Sequence, residues 1–412
     1  MVQKSFIFLL GIFLILIPTL YTIFFPGKIV LITVVCFIPL LLINFYIFFQ
    51  FGFKEIDGKN VLLFFGITNV YILVSSFFNI NSNTDFTNIP GLFFKTLAIP
   101  LFIFWAQFKY LPYLFRYLLL LALPLSFITY FYEPSDPFMS FQHNISFIFV
   151  FVFMIPFIEK KWILFILLVV SLGIFYNVTR RSFVLNAMTC FVIVLMVLFF
   201  KVHIIKKLLN FLFIPLILLP IIFLVLGVSG VFNIFKIGEN SSLFIQYGKF
   251  ERDVVVDSRT SVYEDVFLEL NRQDKWLLGL GGNGKTKTKL VEVEWAAFNK
   301  IYSKGRLSTE SGMLNYIQWG GLIAGFSFWL VIIFSSYLAI FDSNNSLIFS
   351  LGLFMLFKVT YVFIEDAVST NMTTFSFFIF IGFCLSKPFR YLNNLQIKSL
   401  TQIIFNVKFL FK

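Results

Sequence analysis

Two arginines in tandem, Arg180 and Arg181, separate two apolar stretches, and a third, Arg259, opens a stretch in which Val262, Val266 and Leu270 recur at helical spacing. Guanidinium groups are forked donors that clamp a pyrophosphate, which lysine does less well. The plainer alternatives are that the pair only snorkels to lipid headgroups and that Arg259 is a surface partner of Glu264 or Asp265. Glu310 stands just before a further apolar stretch. Partial burial there would raise its pKa and suit it to general-base work, whereas a solvated carboxylate would merely be favoured by the helix dipole. Glu365 and Asp366 end another apolar stretch and are rival acids. Gln142, His143 and Asn144 precede a third such stretch, as a polar cluster for sugar hydroxyls or as a turn.

Other chemistries fit less well. Gly279 to Thr286 matches the phosphate-loop pattern G-x-x-x-x-G-K-[ST] letter for letter. A phosphate loop must lead into a helix, yet Lys287 to Glu294 alternates polar and apolar residues and predicts an extended edge. The match therefore reads as a glycine-rich turn beside the site. His143 and His203 are the only histidines, and no Cys or acidic cluster has metal-ligand spacing. Cys36, Cys190 and Cys384 fall inside apolar stretches and read as small apolar residues, so no disulfide framework is expected.

The elements that must position these groups are membrane spans. Hydrophobic residues make up 59% of the chain, only 13% is charged, and Phe contributes 63 of 412 residues, which is far outside soluble usage. Apolar runs able to cross roughly 30 Å of hydrocarbon predict an all-α integral membrane protein with about twelve transmembrane helices. They cover 6–24, 29–50, 61–80, 92–107, 114–132, 145–158, 162–178, 182–200, 208–228, 313–341, 347–364 and 371–386, with 145–158 the shortest. The first run lacks a small-residue cleavage site and reads as an uncleaved span.

Positive residues in short loops are retained on the cytoplasmic side. Lys54, Lys59, Lys109, Lys160, Lys161, Lys201, Lys206 and Lys207 share one side, together with a basic tail, 387–412, suited to an anionic leaflet. Both termini are then cytoplasmic, and the net charge of +12 reflects topology and membrane lipids, with no call for nucleic acid. Arg180 and Arg181 fall on the opposite side, against the bias. So does the long polar segment 229–312, one external loop domain near the C-terminus between spans 1–228 and 313–386, expected to fold over the membrane surface or a cavity. Gly312, Gly321 and Gly325 would let a neighbour or a lipid tail approach the span that follows.

The order of these features resembles the O-antigen polymerase and ligase superfamily. The resemblance rests on Gln142 to Asn144, on Thr179 to Ser182, and on 257–325, which contains SRTSVYEDVFLEL, WLLGLGGNG and TESGMLNYIQWGGLIAG. It implies a metal-independent glycosyltransferase at the outer face of a bacterial cytoplasmic membrane, without a cofactor. Such an enzyme moves a growing glycan from undecaprenyl pyrophosphate to a sugar hydroxyl of another lipid-linked repeat unit, and a chain-length regulator is a further expected partner. Carried over by position, Arg180 or Arg181 and Arg259 would hold the pyrophosphate, Glu310 would be catalytic, and His143 and Asn144 would meet the glycan. Ligases of this superfamily usually have histidine near the place of Glu310, and the loop here has none, which favours the polymerase. The main rival is a lipid-linked oligosaccharide flippase or other multi-span transporter, with charges near mid-membrane and two-fold internal similarity.

Overall fold

The computed structural model describes residues 29–80, 83–106, 115–116, 118–124, 145–176, 181–228, 244–247, 250–253, 259–287, 305–368 and 372–405. The expected spans at 6–24 and, in large part, 114–132 lie outside them. The helices are α1 (Ile29–Phe51), α2 (Lys59–Phe78), α3 (Asn83–Phe93), the short α4 (Phe149–Phe153), α5 (Lys160–Tyr176), α6 (Arg181–Phe199) and α7 (Val202–Val228). After a hairpin of β1 (Phe244–Tyr247) and β2 (Phe250–Asp253) come α8 (Arg259–Arg272), α9 (Gly312–Phe341), α10 (Ser346–Tyr361), α11 (Met372–Leu385), α12 (Lys387–Tyr391) and α13 (Asn394–Phe405). Five stretches among the described residues are long and apolar enough to cross a membrane: Lys59–Phe78, Asn88–Trp105, Ser182–Phe199, Val202–Leu226 and Gly312–Phe341. The chain is thus an α-helical protein of membrane-spanning character. In lipid every backbone polar group needs an internal partner, which such helices supply along their own length.

Helices α9 and α10 pack along each other at the centre. Gly352 of α10 sits so close to Ala339 of α9 that an added Cβ would lie 2.8 Å from the alanine methyl. Helix α2 lies on the other flank of α9, where Thr68 and Ser327 share a hydroxyl hydrogen bond of 2.7 Å. Stacked rings of Tyr316 and Phe328, 4.3 Å between centroids, and Phe65 beside them fill the layer between. Outward faces of α6 and α7 carry exposed Leu, Ile, Val and Phe, including Phe211 and Ile214, as lipid-facing surfaces require.

Three stretches that read as continuous spans are interrupted. Helix α9 breaks at Gly320 (φ −128°) and Gly321 (φ 70°), the second in the left-handed region that glycine tolerates. The segment 276–281 fills the gap. Leu280 and Gly281 donate their N–H groups to the Gln318 and Trp319 carbonyls (2.7 and 2.9 Å), and Leu322 N–H donates to the Trp276 carbonyl (2.8 Å). Part of the ladder that the break interrupts is thereby replaced by bonds to this segment. At 92–107 the chain runs from α3 into a π-helix (Phe94–Ala98) and a 3₁₀ helix (Pro100–Trp105). Asn44 of α1 donates to the Ala98 carbonyl (2.7 Å) and accepts from Trp105 Nε1 (2.6 Å), so one buried amide stitches the irregular turn. The expected span 145–158 is instead a buried 3₁₀–α–3₁₀ run, Ser146–Ile148, Phe149–Phe153 and Ile155–Phe157. Pro156 supplies no N–H there, and Thr401 of α13 caps the Phe157 carbonyl (3.2 Å).

The two ends of the bundle differ. At one end Asp57, Asp342, Lys387 and the fully buried Arg390 tie the loops before α2 and after α9 to α12. Lys206 donates to the Ser343 carbonyl there (3.0 Å). All of these residues belong to loops expected on the cytoplasmic side. Within the basic tail, α13 buries Ile397, Leu400 and Ile404. The opposite end, called here the loop end, carries 263–286, 305–312 and 362–368, the described residues among those expected outside.

Candidate functional site

The loop end is built where the external segment docks on the starts and ends of spans. Helix α8 buries Val266 and Leu270, the apolar face expected from their spacing. Tyr263 on the same helix donates to the Phe363 carbonyl (2.7 Å) and lies 3.1 Å from Ser311 Oγ. Ser311 is the N-cap of α9, accepting from Leu314 N–H at 3.3 Å, and its backbone neighbour Gly312 donates to the Glu365 carbonyl (3.0 Å). The end of α10 is thereby fastened to the start of α9.

The glycine-rich stretch is part of this docking surface. Gly282 N–H donates to Ser76 Oγ (3.0 Å), Asn79 donates to the Leu280 carbonyl (2.7 Å), and Lys285 Nζ pairs with Asp85 Oδ1 (2.6 Å). Thr286, where a phosphate loop would start its helix, forms an extended bridge with Arg306. The stretch is a turn that holds α2, α3 and α9 together. The expected strand beyond Lys287 lies outside the described residues.

One carboxylate is oriented within this assembly. Asn315, one turn into α9, accepts at Oδ1 from Thr309 Oγ1 (3.0 Å) and donates through Nδ2 to the Thr309 carbonyl (3.1 Å) and to Asp366 Oδ1 (3.3 Å). Val368 N–H donates to the same Asp366 oxygen (2.8 Å). Burial pushes the Asp366 carboxyl above the usual carboxylate range, and repulsion from Glu310 adds to this. Lys95, the Val368 N–H and Asn315 pull the other way without prevailing. Lys95 itself, on the π-helical turn, sits with its ammonium 5.9 Å from the Trp319 ring centroid. A half-buried acid with a fixed hydrogen-bond frame and a nearby cation can take a proton from a hydroxyl near neutral pH.

One buried cation lies near the same helix end, on the side of α6. Lys358 of α10 is 7% exposed, with its ammonium 2.6 Å from Asn186 Oδ1 on α6 and 4.1 Å from the Tyr361 ring centroid. Asn186 Nδ2 donates to the Tyr361 hydroxyl (3.0 Å) and to the Ser182 carbonyl (2.7 Å), and Tyr361 donates to that carbonyl as well (3.2 Å). An ammonium inside a span costs about 3 kcal/mol or more on insertion scales. A charge-assisted hydrogen bond of about 1.5–3 kcal/mol and cation–π contact of up to about 2 kcal/mol offset that cost. Arg181 begins α6, five residues or roughly 7.5 Å of helix before Asn186.

Sequence reasoning located some of these residues and missed others. Glu310 is exposed, two residues ahead of the helix, so the partial burial expected of it is not found. The Thr309 and Ser311 side chains turn inward to cap α9, and Glu310 between them faces out. Arg181 and Arg259 are the first residues of α6 and α8, with their side chains outside the description, and Arg180, His143 and Asn144 lie wholly outside it. Asp366, a rival in sequence, is the acid held by Asn315. Lys95, Asn186, Asn315 and Lys358 were not singled out as site residues. The signal available for Lys95 and Lys358 was a lysine inside an apolar run. No family model matches the chain, and comparison with curated proteins and with solved structures likewise gives no match.

Proposed function

We propose that the protein is a membrane glycosyltransferase of the repeat-unit polymerase type, moving a growing glycan from undecaprenyl pyrophosphate to a sugar hydroxyl of another lipid-linked unit. The observation that carries this reading is the end of α10, which presents an oriented acid, Asp366, toward α9 and a buried cation, Lys358, toward α6. In the proposed reaction Asp366 accepts the proton of the acceptor hydroxyl while its oxygen attacks the donor's anomeric carbon. The bond from that carbon to the pyrophosphate breaks, and the electron pair leaves with the pyrophosphate. Cationic side chains at the loop end stabilise that departing charge. Asp366 takes the base role first assigned to Glu310, because its hydrogen-bond frame and raised pKa suit a base. On this reading the loop end faces outward from the bacterial cytoplasmic membrane, and lipid-facing grooves take the polyprenyl chains.

The test is glycan length on gels after deletion of the gene and complementation with wild type, Asp366→Asn, Arg181→Ala or Glu310→Ala of confirmed expression. The polymerase reading expects single lipid-linked units in the deletion strain and no ladder with Asp366→Asn. Long glycan persisting in the deletion strain would sink it.

A transporter or flippase is the second reading. The helix interruptions at Phe94–Trp105 and Gly320–Gly321, and a lysine inside a span, favour it, since transporters bind cargo at broken helices. Loss of lipid-linked oligosaccharide flipping with glycan polymerisation intact in vitro would select it.

A further inference from the structure

We infer that the turn 276–280 of the external segment is inserted in the membrane, with Leu277 and Leu278 seated among the acyl chains of the surrounding bilayer, whatever the reaction at the loop end. Helix α2 has 20 residues, about 30 Å of rise, which matches the thickness of the hydrocarbon. Ile72 lies six residues, or about 9 Å, inside the loop end of that helix at Phe78. Helix α9 breaks beside Ile72, since a Cβ added to Gly320 would lie 2.9 Å from Ile72 Cγ1. The turn enters at that depth. Leu322 N–H donates to the Trp276 carbonyl (2.8 Å), Ile323 N–H to the Leu277 carbonyl (3.4 Å) and the Tyr71 hydroxyl to the Leu278 carbonyl (3.0 Å). The chain then returns to the end of α2, where Asn79 donates to the Leu280 carbonyl (2.7 Å). Irregular backbone at membrane depth needs partners from the protein, and these four carbonyls have them.

The outward surface of the turn continues that of the spans. Leu277 and Leu278 are 62% and 52% exposed. On α9, Leu322 and Ile323, which bond the turn, are exposed, as is Phe326 one turn deeper. On α2, Ile67 and Val74 are exposed on the face that carries Tyr71, at i, i+4 and i+7 spacing. Both helices are long and apolar enough to cross a membrane. Residues 276–284 carry no charge, so no ionic side chain has to be desolvated in the turn. Polar residues mark where the chain enters. Asn271, Arg272, Gln273 and Asp274 are exposed, and Trp276 Nε1 donates back to Asn271 Oδ1 (3.3 Å), its amphipathic ring suited to the headgroup boundary. Acyl chains around the two leucines remove their apolar surface from water, which is favourable.

The experiment places one cysteine in the full chain at Leu277, Leu278, Phe326 or Gln273, with Cys36, Cys190 and Cys384 replaced by alanine. Each carries a bimane fluorophore, and its quenching is read in lipid nanodiscs. The quenchers are phosphatidylcholine with a nitroxide on its acyl chain, and aqueous iodide. Leu277→Cys and Leu278→Cys should lose fluorescence to the nitroxide lipid, as Phe326→Cys does, and be protected from iodide, with Gln273→Cys the reverse. Iodide quenching equal to that at Gln273→Cys would put the turn in water and overturn the inference. Protection from both quenchers would mean that another part of the chain or a second copy covers the leucines, and would overturn it equally. A second measurement needs no substitution. Wild type is irradiated in bilayers that contain a phospholipid with a diazirine in its acyl chain, and the peptide holding Leu277 and Leu278 should be cross-linked. Absence of that peptide among the cross-linked products, with α9 peptides present, also overturns the inference.

Discussion

Lys285 Nζ stands 2.6 Å from Asp85 Oδ1, joining the glycine-rich turn to the first turn of α3 across 200 residues of sequence. The lysine that completes the phosphate-loop pattern is thus engaged with a buried acid. Lys285→Met deprives the Asp85 carboxylate, 2% exposed, of this cation and should cost about 3 kcal/mol. Thermal unfolding in detergent measures the loss. Asp85→Asn in the same background should recover most of it, and ATP should leave the wild-type melting temperature unchanged. Stabilisation by ATP would return the stretch to a nucleotide site.

Gly321→Ala tests the break in α9. A Cβ there would lie 2.2 Å from the Leu277 carbonyl carbon and oxygen, at a φ of +70°. Both effects oppose the docking of 276–281, and the cost should exceed about 1 kcal/mol. Limited proteolysis should show the segment cut faster in the variant. Equal cleavage rates would mean that the segment docks by other contacts.

Asp366→Asn should lower glycan polymerisation by about 10²–10⁴-fold in isolated membranes, the usual worth of a general base. The base must be ionised to act, so wild-type activity should fall as pH drops through its pKa. Burial raises that pKa, so the falling limb should lie above the ordinary carboxylate range. Glu310→Gln should keep this limb and move it slightly toward lower pH, because the repulsion that helps raise the Asp366 pKa is removed. Loss of the limb in Glu310→Gln with its retention in Asp366→Asn would reverse the two roles.

Asp57 makes the opposite case at the other end. Burial pushes its carboxyl up, but hydrogen bonds from Arg390 and Lys387 and their charges outweigh burial and hold it below the usual carboxylate range. Its folded pKa is depressed, so the stability it contributes is full above the unfolded value of about 3.9 and is lost as pH falls through the folded value. Asp57→Asn should therefore melt lower than wild type near neutral pH, with the gap closing in acid. A gap independent of pH would assign the effect to packing.

Sequence alone determined the elements that the hydrocarbon dictates. A span must be a largely apolar run, so 61–80, 182–200 and 313–341 appear within about two residues as α2, α6 and the broken α9, while 208–228 lies inside α7, which starts six residues earlier and takes in Lys206 and Lys207. Charge bias likewise grouped Asp57, Lys206 and Lys387 at one end and 263–286, 305–312 and 362–368 at the other, because loops alternate sides with each span. Local pattern also gave the α8 face and the turn character of Gly279 to Thr286.

The site depended on partnerships that no local pattern contains. Asn186 and Lys358 meet across 172 residues, and Asn315 and Asp366 across 51. Hydropathy likewise cannot foresee a break such as Gly320–Gly321, since a broken span is tolerable only when a distant segment supplies the missing hydrogen bonds. Sequence thus determined which stretches are apolar enough to enter a membrane and which acids and cations stand at their ends. Tertiary structure decided which of those charges is buried, because burial depends on the residue packed opposite, and that residue comes from elsewhere in the chain.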